Sequence, residues 1–129
     1  MFFLFNFFIL LFHSLQSKYN CVIVEGKLLC NKKPQIVNEI QVYLYDYDPF
    51  IFDFDDKMGK TLTNGTGYFN ISGCGEDSGE NNQPDPYLLI KHYCTDNGKM
   101  GKTYIGLLPI FKPRRQNIGK IILDNEDYE

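Results

Sequence analysis

An all-β fold, a two-sheet sandwich of about seven strands, is what this 129-residue sequence predicts. Apolar residues recur at every second position in one segment after another, the period of a strand with one buried face. Gly, Pro, Asn and Asp gather between those segments, where turns are needed. Beyond the first apolar stretch, no segment sustains a helical period. Short strands separated by turns must bury their apolar faces against one another, and two packed sheets achieve this.

In chain order, Met1–Phe12 is almost wholly apolar, interrupted by Asn6 and lacking Lys, Arg, Asp and Glu. It falls short of the roughly 20 residues that a membrane-spanning helix needs. Ser14, Gln16 and Ser17 follow, so residues 1–17 are expected to be a secretory signal peptide cut near Ser17–Lys18. The folded domain is then expected over residues 18–123, with an acidic tail over 124–129. Val22, Val24, Gly26, Leu28 and Cys30 share one face of the first strand, and Glu25 and Lys27 the other. After a turn at Asn31–Pro34, Ile40, Val42 and Leu44 alternate with Gln41, Tyr43 and Tyr45 in a second strand. Asp46–Gly59 is expected as a long loop rich in Asp and Phe, and Lys60–Thr63 as a short third strand. Asn64-Gly65-Thr66-Gly67 reads as a tight turn, because Asn and Gly accept positive φ at little cost. Tyr68–Ser72 follows with Phe69 and Ile71 inward and Asn70 outward, and then a polar loop over Gly73–Asp85. Leu88, Ile90, His92 and Cys94 share one face of the strand Pro86–Cys94. A loop at Thr95–Gly101 precedes the last two strands, Thr103–Phe111 and Ile118–Leu123, which the basic turn Lys112-Pro113-Arg114-Arg115 connects.

The net charge of −3 is uneven. Asp46, Asp48, Asp53, Asp55 and Asp56 form one acidic block, and Asp124, Glu126, Asp127 and Glu129 another. The basic residues are spread thinly without a continuous stripe, which argues against nucleic-acid binding. Cys21, Cys30, Cys74 and Cys94 all follow the expected cleavage point. An even number of cysteines in a small secreted chain reads as disulfides, with three possible pairings. Zinc is disfavoured, because no CxxC pair occurs and a single histidine remains after residue 17. No motif for any other cofactor is present, and no apolar run of spanning length offers a stable membrane anchor.

Read together, these segments resemble nematode transthyretin-like proteins. The opening strand Val24-Glu25-Gly26-Lys27-Leu28-Leu29-Cys30-Asn31-Lys32-Lys33-Pro34 carries the likeness, as does Val42-Tyr43-Leu44-Tyr45-Asp46 with the Asp-rich loop ending Asp55-Asp56-Lys57-Met58. Thr63 with Gly67-Tyr68-Phe69 and Gly73 is similar to that family's middle hairpin. Pro86-Tyr87-Leu88 leading to His92-Tyr93-Cys94, and Ile118-Gly119-Lys120-Ile121 with Leu123, are similar to its later strands. The resemblance implies a transthyretin-type sandwich and a secreted protein, and leaves the biochemical activity open. Hairpin-connected strands alternate in direction, so Cys30 and Cys94 end at the same pole and a bridge between them is feasible. The resemblance implies that these two pair. In a transthyretin-like sheet the first and fourth strands are neighbours, so Cys21 and Cys74 are expected to meet as well.

Among candidate sites, Asn64-Gly65-Thr66 and Asn70-Ile71-Ser72 fit the N-glycosylation sequon. The Asp-rich loop is the sharpest chemical feature. Its carboxylates suit Ca²⁺ in type, but the spacing is not that of an EF-hand and Pro49, Phe50, Phe52 and Phe54 interrupt it. The plain reading is a solvated loop whose Phe residues pack back under its rim; the functional reading is that Asp53, Asp55 and Asp56 with Phe52 and Phe54 recognise a partner. His92, on the inward face, reads as a buried histidine bonded to backbone. Serine nucleophiles are limited to Ser72 and Ser78 beyond residue 17, and no G-x-S-x-G occurs. Hydrolases of purine breakdown that share the transthyretin architecture resemble this chain in fold alone. Their signature uses several histidines and a terminal Tyr-Arg-Gly-Ser, where this sequence has Glu126-Asp127-Tyr128-Glu129. Lys112, Arg114 and Arg115 form an exposed basic turn that could meet an anionic surface, and Tyr43 and Tyr45 lie on the outward face of their strand.

The expected function is therefore a secreted, non-enzymatic binding or signalling module whose partner is an extracellular protein or lipid. The alternative is a carrier of small hydrophobic ligands, which would need an oligomeric channel because the sandwich core is filled.

Overall fold

The computed structural model describes residues 18–48, 55–77 and 84–125; the expected signal peptide and the expected binding residues Phe52, Asp53 and Phe54 lie outside these. The strands are β1 (Lys18–Leu29), β2 (Gln41–Asp46), β3 (Asp56–Leu62), β4 (Tyr68–Asp77), β5 (Pro86–His92), β6 (Gly101–Gly106) and β7 (Gln116–Ile122). They form a three-stranded sheet in the order β4-β1-β7 and a four-stranded sheet in the order β3-β2-β5-β6. Every pairing is antiparallel except that of β1 with β7. The all-β, two-sheet, seven-strand architecture is thus the one the alternating pattern predicts. No helix among the described residues is long and apolar enough to cross a membrane.

Alternation places the core. Val22, Val24, Leu28, Val42, Leu44, Leu88 and Ile90 are wholly buried, joined by Phe69, Ile71, Ile121 and Leu123. Fully burying one such aliphatic side chain stabilises the fold by about 1.5–3 kcal/mol. The disulfide Cys30–Cys94 links the end of the three-stranded sheet's central strand to the end of β5, with Cα atoms 5.9 Å apart. The second disulfide, Cys21–Cys74, joins directly opposed residues of β1 and β4. These are the two pairings expected from the resemblance.

Several boundaries differ from the expectation. β3 begins at Asp56, well before Lys60, because a bulge between Leu44 and Tyr45 in its pairing with β2 interrupts the period-two signal. β4 continues to Asp77: Gly73, Cys74 and Gly75 have a loop-like composition, yet they pair with Val22, Cys21 and Asn20. β6 stops at Gly106, short of Phe111, since the chain leaves for the other sheet and Pro109 has no N–H for a ladder. The turn after β1 also contains a short 3-10 helix, Pro34–Val37, whose first turn suits the fixed φ of Pro34. β3 and β4, one in each sheet, pass closely at the side of the sandwich. A Cβ at Gly73 would lie 2.3 Å from the Met58 carbonyl oxygen, and one at Gly59 would lie 2.5 Å from that of Ser72.

Candidate binding surface

The outer face of the four-stranded sheet follows from register. Tyr43 opposes Leu89 and Lys60, Leu89 opposes Tyr104, and Tyr45 opposes Tyr87 and Lys57. These residues alternate with the buried Val42, Leu44, Leu88 and Ile90, so they point away from the core. The tyrosine rings lie side by side: Tyr43 to Tyr45 at 6.1 Å, Tyr45 to Tyr87 at 5.6 Å and Tyr87 to Tyr104 at 6.3 Å between centroids. Tyr43, only 9% exposed, is covered by lysines, whereas Tyr104 at the β6 edge is 58% exposed.

Three ammonium groups converge on Tyr43. The Nζ atoms of Lys57, Lys60 and Lys91 lie 5.1, 5.4 and 5.0 Å from its ring centroid, within cation–π range. In a regular strand Lys57 and Lys60 would face opposite sides. The bulge in β3 inserts one residue between Gly59 and Lys57, so both lysines face outward while Met58 packs toward the core. The Tyr43 hydroxyl donates to Gln41 Oε1 at 3.0 Å. Among the described residues the ion pairs are Lys32–Asp96 and Arg115–Glu25, so none of these three lysines is joined to a carboxylate.

The acidic segment meets the other end of this strip. Asp55 accepts from the Tyr87 hydroxyl and, at 3.0 Å, from the Asp48 backbone N–H, while Asp46 accepts from the Asp85 N–H at 2.8 Å. Burial, then the bond to Asp55 and its charge, push the Tyr87 hydroxyl pKa far above its ordinary value. Burial raises the Asp46 pKa, the Asp85 N–H opposes, and Asp56, Asp85 and Asp48 add to the rise. Asp56 is exposed and pairs with Asp46 in the ladder. Of the expected acidic recognition set, Asp55 therefore braces the tyrosine strip and Asp56 faces solvent. The one metal-compatible group among the described residues is Cys30, Cys94 and Asp124, and its two sulfurs are already bonded to each other.

His92 lies at one pole, in the wall of a polar cavity of about 560 Å³ that Thr95, Lys99, Lys102 and Asp124 also line. The Cys94 N–H donates to its Nδ1 at 3.1 Å, which leaves the proton on Nε2, 2.9 Å from Thr103 Oγ1. Burial lowers its pKa and the Asp124 charge only partly opposes this. Both nitrogens are thus engaged in structural bonds, the reading expected for this residue.

The sequon residues are differently placed. Asn64 is exposed, and its Oδ1 accepts from Thr66 N–H, Thr66 Oγ1 and Tyr68 N–H, which shapes the turn between β3 and β4. Asn70 is exposed on β4, opposite Glu25, on the outer side of the three-stranded sheet. The basic turn is exposed as well, with Arg115 3.7 Å from Glu25. The sequence reading singled out Tyr43 and Tyr45 but missed Tyr87, Tyr104 and the lysines. Alternation along β5 and β6 would have found the first two, whereas the bulge hides Lys57.

Residues 25–108 match the transthyretin-like family. Transthyretin-like protein 5 of Caenorhabditis elegans is 49% identical over 59% of this chain, and transthyretin-like protein 1 of the same worm is 33% identical over 81%. Those alignments span 50% and 61% of the two relatives, so the chain covers less than two thirds of the length of either. Among solved structures, part of a 9R-lipoxygenase from Cyanothece superposes with a TM-score of 0.53 at 18% identity, covering 85% of this chain and 17% of that one. That likeness is one of fold alone.

Proposed function

Since this chain belongs to the nematode transthyretin-like family, we propose that it is a secreted, non-enzymatic binding module that meets an extracellular protein or lipid through the outer face of its four-stranded sheet. The observation that carries this reading is the row of Tyr43, Tyr45, Tyr87 and Tyr104, their rings side by side on a rigid sheet. Tyrosine offers a large amphipathic contact area at low entropic cost, which is why it concentrates in protein interfaces. Two disulfides suit an oxidising compartment outside the cytosol. His92 offers no free base, because its two ring nitrogens are engaged by the Cys94 N–H and the Thr103 hydroxyl.

The test is saturable binding of the labelled, disulfide-intact protein to animal cells. One arm strips the cells with protease, and another substitutes vesicles made from their extracted lipids. Binding should be lost in the first arm for a protein partner, or retained in the second for a lipid. The Tyr45→Ala/Tyr104→Ala variant should bind about tenfold more weakly in the productive arm. Unchanged binding by that variant would remove the tyrosine face from the reading.

A further inference from the structure

We propose that the ligand of this face is a sulfated polysaccharide, its sulfate groups held by Lys57, Lys60 and Lys91 around Tyr43 and its sugar rings lying along Tyr45, Tyr87 and Tyr104. The inference rests on the reading of this face as a binding surface and narrows its protein partner to a proteoglycan, whose sulfated chains make the contact.

Like charges repel, and three ammonium groups within 5.4 Å of one ring centroid keep company at an electrostatic cost. The face of a tyrosine compensates an exposed cation only weakly. No carboxylate among the described residues is paired with any of the three. A multiply charged anion placed among them relieves the repulsion and gains a charge-assisted hydrogen bond from each. The β3 bulge is the device that aims Lys57 and Lys60 at the same ring.

The rest of the face suits a sugar chain. Beyond the lysines the tyrosine rings continue across β2, β5 and β6, a span of about 10 Å at the usual strand spacing. Pyranose rings present C–H faces that pack on such rings, while their sulfates reach the adjacent lysines. Lys102, which pairs with Lys91 in the ladder, extends the positive charge toward the β6 edge. At the far end the Asp55 carboxylate accepts a hydrogen bond from the Tyr87 hydroxyl, so the negative charge of the strip is set away from Lys60 and Lys91. A membrane is a poorer match. Insertion below the headgroups needs a cluster of protruding apolar side chains, whereas here the central Leu89 is 8% exposed and the exposed Leu62 stands on β3 at the edge of the sheet. The Asn70 sequon lies on the opposite sheet, so a glycan there would leave this face open.

Calorimetry with the full disulfide-intact protein and a heparin octasaccharide tests the proposal. Expected is saturable binding that weakens with salt, and at least about tenfold weaker binding by Lys57→Ala/Lys60→Ala/Lys91→Ala. The slope of log affinity on log salt should shrink by about 2 for the three lost charges. Lys57→Gln alone, at an exposed position, should show a smaller loss in the same direction and serves if the triple variant fails to fold. The Lys112→Ala/Arg114→Ala/Arg115→Ala variant should bind as the wild type does. Desulfated octasaccharide, oligo-dT of equal charge and anionic phospholipid vesicles should each bind at least about tenfold more weakly. Equal binding of any of these three, equal loss in the basic-turn variant, or no heparin binding would overturn the proposal. If heparin fails while Tyr45→Ala/Tyr104→Ala still loses cell binding, the ligand class falls and the binding face stands. If both fail, both fall.

Discussion

The imidazole of His92 is held neutral from two sides. Its Nδ1 accepts from the Cys94 N–H, and its Nε2 proton points to Thr103 Oγ1. Protonation would place a charge in a buried site and break the Cys94 bond, so the folded pKa lies below the ordinary value. The unfolded histidine, near 6.5, therefore takes up a proton first as pH falls. Stability from this group is complete above that value and is lost on acidification toward the lower folded pKa. Asp124 acts in the same direction at lower pH. Burial pushes its pKa up, but the N–H groups of Asn31 and Lys32, with the Lys32 charge, prevail and hold it below 3.8. The midpoint of thermal unfolding should thus fall between pH 7.5 and pH 5. In His92→Gln the fall should be smaller; an equal fall would assign it elsewhere. Gly67 gives a second prediction at this scale. Its φ is +84°, its carbonyl accepts from Leu28 N–H, and an added Cβ would sit 2.2 Å from the Leu28 carbonyl oxygen. Gly67→Ala should cost at least about 2 kcal/mol in urea unfolding. Gly65→Ala, with nothing within 4 Å of the added Cβ, should stay within about 0.5 kcal/mol of wild type.

Strands were legible wherever one face is core. Val22, Val24 and Leu28 in β1, and Leu88, Ile90 and His92 in β5, alternate without interruption and were readable from residue type alone. Legibility failed where the backbone departs from simple alternation. The bulge in β3 hid that strand's first half and the aim of Lys57, and glycines in β4 hid a ladder whose partners are far away in sequence. The tyrosine face was half visible, because Tyr43 and Tyr45 share a strand while Tyr87 and Tyr104 reach them only through sheet order. Nothing local announces the role of Thr63, which directly follows β3 and precedes the turn into β4. Its buried hydroxyl donates to the Val37 carbonyl and accepts from Ile40 N–H, binding the 3-10 turn and the entry to β2 against the end of β3. Thr63→Val keeps the shape but leaves both backbone groups without that partner, at a cost of about 2–4 kcal/mol. Amide exchange should quicken at Ile40 far more than at Val24, which sits in the central strand of its sheet.

For the molecule as a whole, the two disulfides carry different loads. Their cysteines are 53 and 64 residues apart, so the chain-entropy account gives both about 4 kcal/mol. Loop length therefore does not distinguish them, and location must. Cys21 and Cys74 are half-buried and directly opposed in a ladder that already pairs β1 with β4 from Lys18 to Lys27. Cys30 and Cys94 are 3% exposed, part of the core, and tie one sheet to the other beside His92. Replacing Cys21 and Cys74 by Ala should remove mainly the entropic constraint. Replacing Cys30 and Cys94 should remove the constraint, buried volume and the setting of the Cys94 N–H bond, costing a further 1–2 kcal/mol or about that. The order of the two variants in denaturant midpoint checks the argument. Cys30→Ala/Cys94→Ala should unfold first and lose the acid sensitivity assigned to His92, because loosening that pole admits water to the ring and brings its pKa back toward the unfolded value. Cys21→Ala/Cys74→Ala should keep that sensitivity, since its bridge lies within the three-stranded sheet and makes no contact with the histidine's hydrogen bonds.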